Sequence, residues 1–231
     1  MWIGTRDFNE LVELTRWKVE FFCDSAENNV SSVFPLIRIG EIVEERCETI
    51  DPQEYPEQSF NYIGLENVQT LTGDLINFEP CLGIEIRSRS KVFKSQDILY
   101  GRLRPYLNKV FLADGQGVEI GICSGEFFVL VADKQKFRPY VLRSILASNY
   151  VLDFVKKYQS GMALPRLHKN DFFDIKIPVP PLDIQAEVED FLIKANTRRR
   201  HLMAELEELP HSTMIKLVTT LQKGQIFSEI V

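Results

Sequence analysis

Apolar residues recur along this chain in two alternating rhythms, and each change of rhythm predicts a change of element. Phe8, Leu11, Val12 and Trp17 fall at helical steps among charged neighbours, so an amphipathic opening helix is expected within residues 5–22, packed on the domain that follows. A polar linker at 28–32 leads to a short helix at 39–45 and a proline-punctuated segment at 51–56. Between 61 and 132 the rhythm shortens to strand-like runs at 62–65, 92–93, 97–99, 109–112 and 127–131, separated by Gly, Asp and Asn. The run Phe127-Phe128-Val129-Leu130-Val131 shows no alternation and should be buried on both faces. Helical spacing returns over 140–158 through Val141, Ile145, Leu152 and Val155, and a strand at 175–179 stops at Pro180-Pro181.

Beyond those prolines Ile184, Val188, Phe191, Ala195, Leu202, Leu206 and Leu209 follow one another at three- and four-residue steps or one heptad apart, a seam that fits another helix. Asp183 suits the N-cap, and Pro210 should kink or split the arm before a second stretch at 212–222. The helix from 183 to 209 would span roughly 40 Å at about 1.5 Å per residue, close to one turn of B-DNA at about 34–36 Å. The class that follows is α/β in the broad sense: a mixed α+β domain over 1–180 with a mixed sheet and flanking helices, then a helical arm over 181–231.

At 231 residues and 45% hydrophobic content, the chain can bury a sizeable core. It has no apolar run long enough for a membrane span, and charges interrupt the first 22 residues, so neither an anchor nor a signal peptide is expected and the cytoplasm is the predicted location. Cys23, Cys47, Cys81 and Cys123 are scattered far from His168, His201 and His211, so buried or half-buried thiols are expected rather than a metal site or disulfides. No cofactor is expected either. The chain has no Gly-rich cofactor turn, no phosphate loop and no Asn/Asp-Pro-Pro-aromatic signature, and Ser124-Gly125-Glu126 lacks the spacing of a nucleophile elbow and reads as a turn into a buried strand.

The formal net charge of -6 argues at first against nucleic acid. Its distribution changes that. Arg87, Arg89, Lys91, Lys94, Arg102, Arg104 and Lys109 crowd one stretch against Asp97 alone, while the acidic surplus sits at 41–57 and 187–208. Within Gly101-Arg102-Leu103-Arg104-Pro105-Tyr106-Leu107-Asn108-Lys109 an extended chain would aim both arginines to one side, ahead of a Pro turn carrying Tyr106. Such donors fit phosphates or guanine edges; the alternative is a solvated charged strand with the tyrosine in the core. The second candidate is the loop holding Gly161, Arg166, His168 and Lys169, where glycine allows close approach to a phosphate backbone or simply caps a helix. Arg198-Arg199-Arg200 reads as a solvated helix face more readily than as a phosphate contact.

Five stretches in series carry a family resemblance: Tyr62-Ile63-Gly64-Leu65-Glu66-Asn67-Val68; residues 97–109; Ser124-Gly125-Glu126-Phe127-Phe128-Val129-Leu130; Ser160-Gly161 with Leu164-Pro165-Arg166; and Ile175-Lys176-Ile177-Pro178-Val179-Pro180-Pro181-Leu182 with Gln185. The chain resembles the specificity subunits of type I restriction-modification systems. The resemblance implies a DNA target-recognition domain that reads half of a bipartite sequence, and a helical spacer that packs antiparallel on a second helix as a coiled coil. It further implies docking of methyltransferase and restriction subunits, with no catalysis in this chain. Such subunits usually carry two recognition domains and two helical regions, whereas one of each is legible here without an internal repeat. A half-subunit is therefore expected, restored by homodimerisation through the arm and reading an interrupted palindrome. The competing readings are a protein-interaction adaptor and the recognition chain of a type IIB or IIG methyltransferase-nuclease.

Overall fold

The computed structural model describes residues 32–158 and 164–223; the opening helix expected within 5–22, Cys23 and Gly161 lie outside them. The run without alternation forms strand β11 (Phe127–Ala132), which pairs antiparallel with β2 (Val43–Glu45) on one side and β8 (Ile98–Gly101) on the other. Strand β9 (Val110–Leu112) completes this sheet in the order β2-β11-β8-β9.

Successive side chains leave a strand on opposite faces, and both faces are used here. Ile98, Tyr100, Val110, Leu112, Phe128 and Leu130 enter a core closed by α1 (Pro139–Leu146), α2 (Asn149–Tyr158) and α3 (Lys169–Phe173). The intervening residues Leu99, Phe111, Phe127 and Val129 enter a second core with Ile63, Phe93 and Cys123. Those last three come from a mixed sheet of β3 (Thr49–Ile50), β7 (Ser90–Phe93), β10 (Gly121–Cys123) and β5 (Tyr62–Ile63), ordered β3-β7-β10-β5 with β10 and β5 parallel. The result is helices, sheet and sheet in three layers, which is why the central strands read as continuous apolar runs. Two short pairs finish the domain: β1 (Leu36–Arg38) with β12 (Lys176–Pro178), and β4 (Ser59–Phe60) with β6 (Cys81–Leu82).

Three local expectations are corrected. Residues 39–45 form a 3-10 turn (Ile39–Glu41) and then β2, because burying Ile39, Ile42 and Val43 needs only one turn before the chain pairs with β11. The helix over 140–158 breaks after Leu146, where the Ser148 hydroxyl donates to the Ile145 carbonyl (2.6 Å) and Asn108 Nδ2 donates to the Ala147 carbonyl (2.6 Å). Among the cysteines Cys123 is buried and Cys81 half-buried, but Cys47 is exposed.

The chain divides into two units, Met1–Gln185 and Ala186–Val231. The last helix, α4 (Leu182–Lys223), begins in the first: Gln185 is fully buried, its Nε2 donates to the Lys136 and Pro180 carbonyls (both 2.8 Å), and its Oε1 accepts from the Arg138 amide (2.8 Å). Asp183 sits inside the first turn of this helix rather than at its N-cap, where its charge still favours the positive end of the helix. At 42 residues α4 is about 63 Å long and runs through Pro210 without splitting. A proline removes one helical donor, and the Ser212 and Thr213 hydroxyls add bonds to the Leu209 carbonyl (3.0 and 2.7 Å) beside the gap. Among the described residues no helix is long and apolar enough to cross a membrane.

The central sheet is pinned by one ion pair. Arg46, leaving β2, donates from Nε and Nη2 to Asp97 (2.7 and 3.1 Å), which also accepts the Lys94 amide (2.8 Å) and is only 2% exposed. Replacing Arg46 with Ala strands a buried carboxylate, so Arg46→Ala is expected to destabilise the fold by roughly 3 kcal/mol in urea titrations. A loss below about 0.5 kcal/mol, typical of a surface substitution, would contradict this reading.

Candidate nucleic-acid interface

The N-terminal end of β11 gathers Lys91, Arg102, Arg166 and Lys169, four of the cations singled out by the sequence, because several elements meet there. Lys91, on β7, donates to Glu45 Oε1 (2.9 Å) and to the Phe127 carbonyl (2.8 Å). Lys169, at the start of α3, reaches Glu45 Oε2 (3.0 Å) and lies over the Phe173 ring. Glu126, in the turn before β11, is gripped by Arg166 through Nη2 (2.8 Å) and Nε (3.2 Å to each oxygen). Arg102 pairs with the same carboxylate at 3.8 Å, too long for a hydrogen bond, and its guanidinium sits 5.5 Å from the Phe128 ring. Lys91 lies 5.9 Å from that ring as well, so the two cations share one aromatic platform. The backbone stitches the same place together: the Arg102 amide donates to the Glu126 carbonyl (2.8 Å), and the Leu167 amide to the Arg102 carbonyl (2.9 Å).

Both carboxyls are held below their ordinary range. Burial pushes Glu45 up, but hydrogen bonds and charge from Lys91 and Lys169 more than offset it. For Glu126 the Arg166 hydrogen bonds dominate. Four predicted contact residues, Lys91, Arg102, Arg166 and Lys169, are therefore tied to this network. Two more are tied elsewhere: Lys109 Nζ donates to the Leu65 carbonyl (2.6 Å), and Lys94 pairs with Glu48 (3.1 Å). His168 is exposed at the N-terminal edge of α3.

Arg87, Arg89, Arg104 and Tyr106 differ. All are exposed, and among the described residues their side chains make no hydrogen bond or ion pair. Arg87 and Arg89 lie in the loop entering β7, just before Lys91. Arg102 and Arg104 do not share one side of a strand, since β8 ends at Gly101 and Arg104 adopts a left-handed backbone (φ 46°). Its amide donates to the Pro165 carbonyl (2.7 Å), and Tyr106 follows in a 3-10 turn (Pro105–Leu107), 43% exposed rather than in the core. Asn108, also left-handed (φ 49°), is nearly fully buried, because its amide group holds the Ala147 carbonyl.

On α4 every residue of the predicted seam, Ile184, Val188, Phe191, Ala195, Leu202, Leu206 and Leu209, is exposed, Phe191 at 69% and Leu206 at 62%. The face these residues form is left uncovered among the described residues. Sequence reasoning missed Glu45 and Glu126, whose partners Lys91, Lys169, Arg102 and Arg166 lie far from them in the chain, and it missed Leu71, whose exposed side chain sits on a left-handed backbone (φ 68°). The glycine at 73 signals a turn there, but nothing in the sequence singles out the leucine.

Comparison with known proteins adds three findings. The family model described as "Type I restriction modification DNA specificity domain" matches residues 32–208. The type I restriction enzyme EcoDI specificity subunit of Escherichia coli is 24% identical over 187 residues, covering 78% of this chain and 40% of that protein. In fold the chain is similar to the HsdS subunit from Thermoanaerobacter tengcongensis (TM-score 0.63, 24% identity, 85% of this chain and 51% of that one). It is also similar to the type I restriction-modification S subunit from M. genitalium (TM-score 0.53, 12% identity, 84% and 47%). The chain thus spans about half the length of the relatives it matches or less.

Because the native carboxyls of Glu45 and Glu126 titrate below the ordinary glutamate value of about 4.3, their pairs contribute stability above that pH and lose it as the pH falls through the depressed native values. Thermal melts between pH 6 and 3 should show wild-type stability declining more steeply on acidification than that of Glu126→Gln. Parallel curves would remove Glu126 from the network's energetics.

Proposed function

This chain belongs to the type I restriction modification DNA specificity domain family, and from that membership we propose that it recognises one half of a bipartite duplex target and docks methyltransferase and restriction subunits on it. In this reading residues 1–180 are the target-recognition domain and 181–231 the spacer and dimerisation arm. The protein works in the cytoplasm as a reader without chemistry of its own; methyl transfer and cleavage belong to the subunits it docks.

The observation that carries the reading is the division of labour among the cations. Lys91, Arg102, Arg166 and Lys169 are engaged with Glu45 and Glu126 and hold the loops in place. Arg87, Arg89 and Arg104 are left with nothing inside the described chain to neutralise them, at the loops leading into β7 and out of β8. Guanidinium groups displayed on a fixed scaffold suit phosphate contacts that set register on a duplex. His168 and Tyr106 add polar groups on the neighbouring loops.

The exposed aliphatic face of α4 supports self-association, with the arm of a second copy covering Val188, Phe191, Leu202, Leu206 and Leu209 in an antiparallel coiled coil. Two readers related by a two-fold axis then face an interrupted palindrome.

Two experiments test these statements. Selection from random duplex DNA, with and without a co-expressed methyltransferase subunit, should enrich an interrupted palindrome; a single short motif would indicate one reader, and no enrichment in either setting would favour a protein-interaction adaptor. Separately, Leu202→Glu with Leu206→Glu places charge in the proposed seam and should leave monomers in light scattering. Persisting dimers would exclude α4 as the interface.

A further inference from the structure

Residues 69–74 form a turn held from several directions. The Gln69 amide donates to the Asp74 carbonyl (2.8 Å), the Gly73 amide to the Gln69 carbonyl (3.0 Å) and the Thr72 hydroxyl to Gln69 Oε1 (2.8 Å). Arg143, from α1, donates to the carbonyls of Val110 (2.9 Å) and Thr72, and Gly73 (φ 64°) lies so close that a Cβ there would strike the Val110 carbonyl oxygen. At the crest of this rigid turn stands Leu71. It combines two unfavourable features: a left-handed backbone (φ 68°), which a bulky side chain seldom adopts, and a side chain 57% exposed. Among the described residues neither is compensated, since the leucine is part of no buried core.

Its neighbours share that character. The Leu71 amide donates to the Asn108 carbonyl (3.1 Å), joining the turn to the 3-10 turn that exposes Tyr106 and follows Arg104. The Arg104 amide in turn binds the Pro165 carbonyl, next to Leu164, which is 47% exposed. Residues 103–109 and 164–169 contain no Asp or Glu, and the turn at 69–74 holds only the half-buried Asp74, although the whole chain is acidic.

We propose that Leu71 and Tyr106 form a rigid apolar tip that enters a groove of duplex DNA and contacts base edges, with Arg104 on a flanking phosphate. The inference rests on the DNA-recognition reading above and assigns a base-contacting role to Leu71, a residue that carries no charge. The partner is a polyanion with apolar features inside its groove, such as thymine methyl groups or base-step faces, which fits loops that display apolar side chains and cations with the half-buried Asp74 as their single carboxylate.

The test is Leu71→Gly, with Leu71→Asn as a second variant that also tolerates positive φ. Relief of backbone strain should raise the melting temperature of Leu71→Gly. In selection from random duplex DNA under the conditions where wild type enriches a motif, the motif should lose its preference at one or two adjacent positions. Affinity for the wild-type site should fall roughly tenfold, with the slope of log K against log salt unchanged, because a leucine neutralises no phosphate. Retention of the full motif and of affinity within about twofold would overturn the proposal. So would a retained motif with lost co-purification of the methyltransferase subunit, which would assign the tip to a protein partner. If wild type itself enriches nothing, the DNA-recognition reading fails and the proposal with it.

Discussion

A strand buried on both faces can offer function nothing along its length, so what it supports must be built at its ends. β11 is such a strand: Phe128 and Leu130 belong to one core, Phe127 and Val129 to the other. Its neighbours β8 and β9 inherit the same two-sided burial, which places the helices on one side and the mixed sheet on the other. The loops that emerge where β11 begins and β8 ends are therefore fixed to the most constrained part of the molecule, and there the charged residues collect.

Charge at that end does two kinds of work. The Glu45 side chain is 8% exposed and Lys91 18%, so this pair is the least solvent-screened of the group, and removing Lys91 exposes the cost of an uncompensated carboxylate, whereas Lys169 is an exposed partner. Glu126, Arg102 and Arg166 are each about a third exposed, so solvent screening reduces what their pairs contribute to stability relative to the Glu45–Lys91 pair. Their value is geometric: a bidentate Arg166 and a stacked Arg102 fix residues 102–108 and 164–168 against each other, so that Arg104 is displayed on a rigid support. Of the cations in the basic stretch, most serve the scaffold and a minority face outward.

How much of this the sequence discloses depends on the range of the interaction. The central strands were legible because unbroken apolar runs report burial directly, and the arm because its period extends over many turns. Strands β3, β4 and β6 are two residues long, too short to show any period, and appear only through pairing partners far along the chain. The same holds within the site. The basic stretch was visible as composition, but which of its members are spent internally depends on Glu45 and Glu126, whose approach is a tertiary fact. The left-handed backbones at Leu71 and Arg104 were hidden as well, since neither is a residue that advertises positive φ.

Lys91 is bound into the scaffold, whereas Arg104 is the exposed cation proposed to meet the DNA. Urea stability measured together with the salt dependence of binding to the selected duplex, for Lys91→Ala and Arg104→Ala side by side, separates the two roles. Lys91→Ala is expected to lose stability and keep the wild-type salt slope, while Arg104→Ala keeps stability and lowers the slope by about 0.9, the release of one phosphate contact. A lowered slope for Lys91→Ala with an unchanged slope for Arg104→Ala would contradict this division of roles.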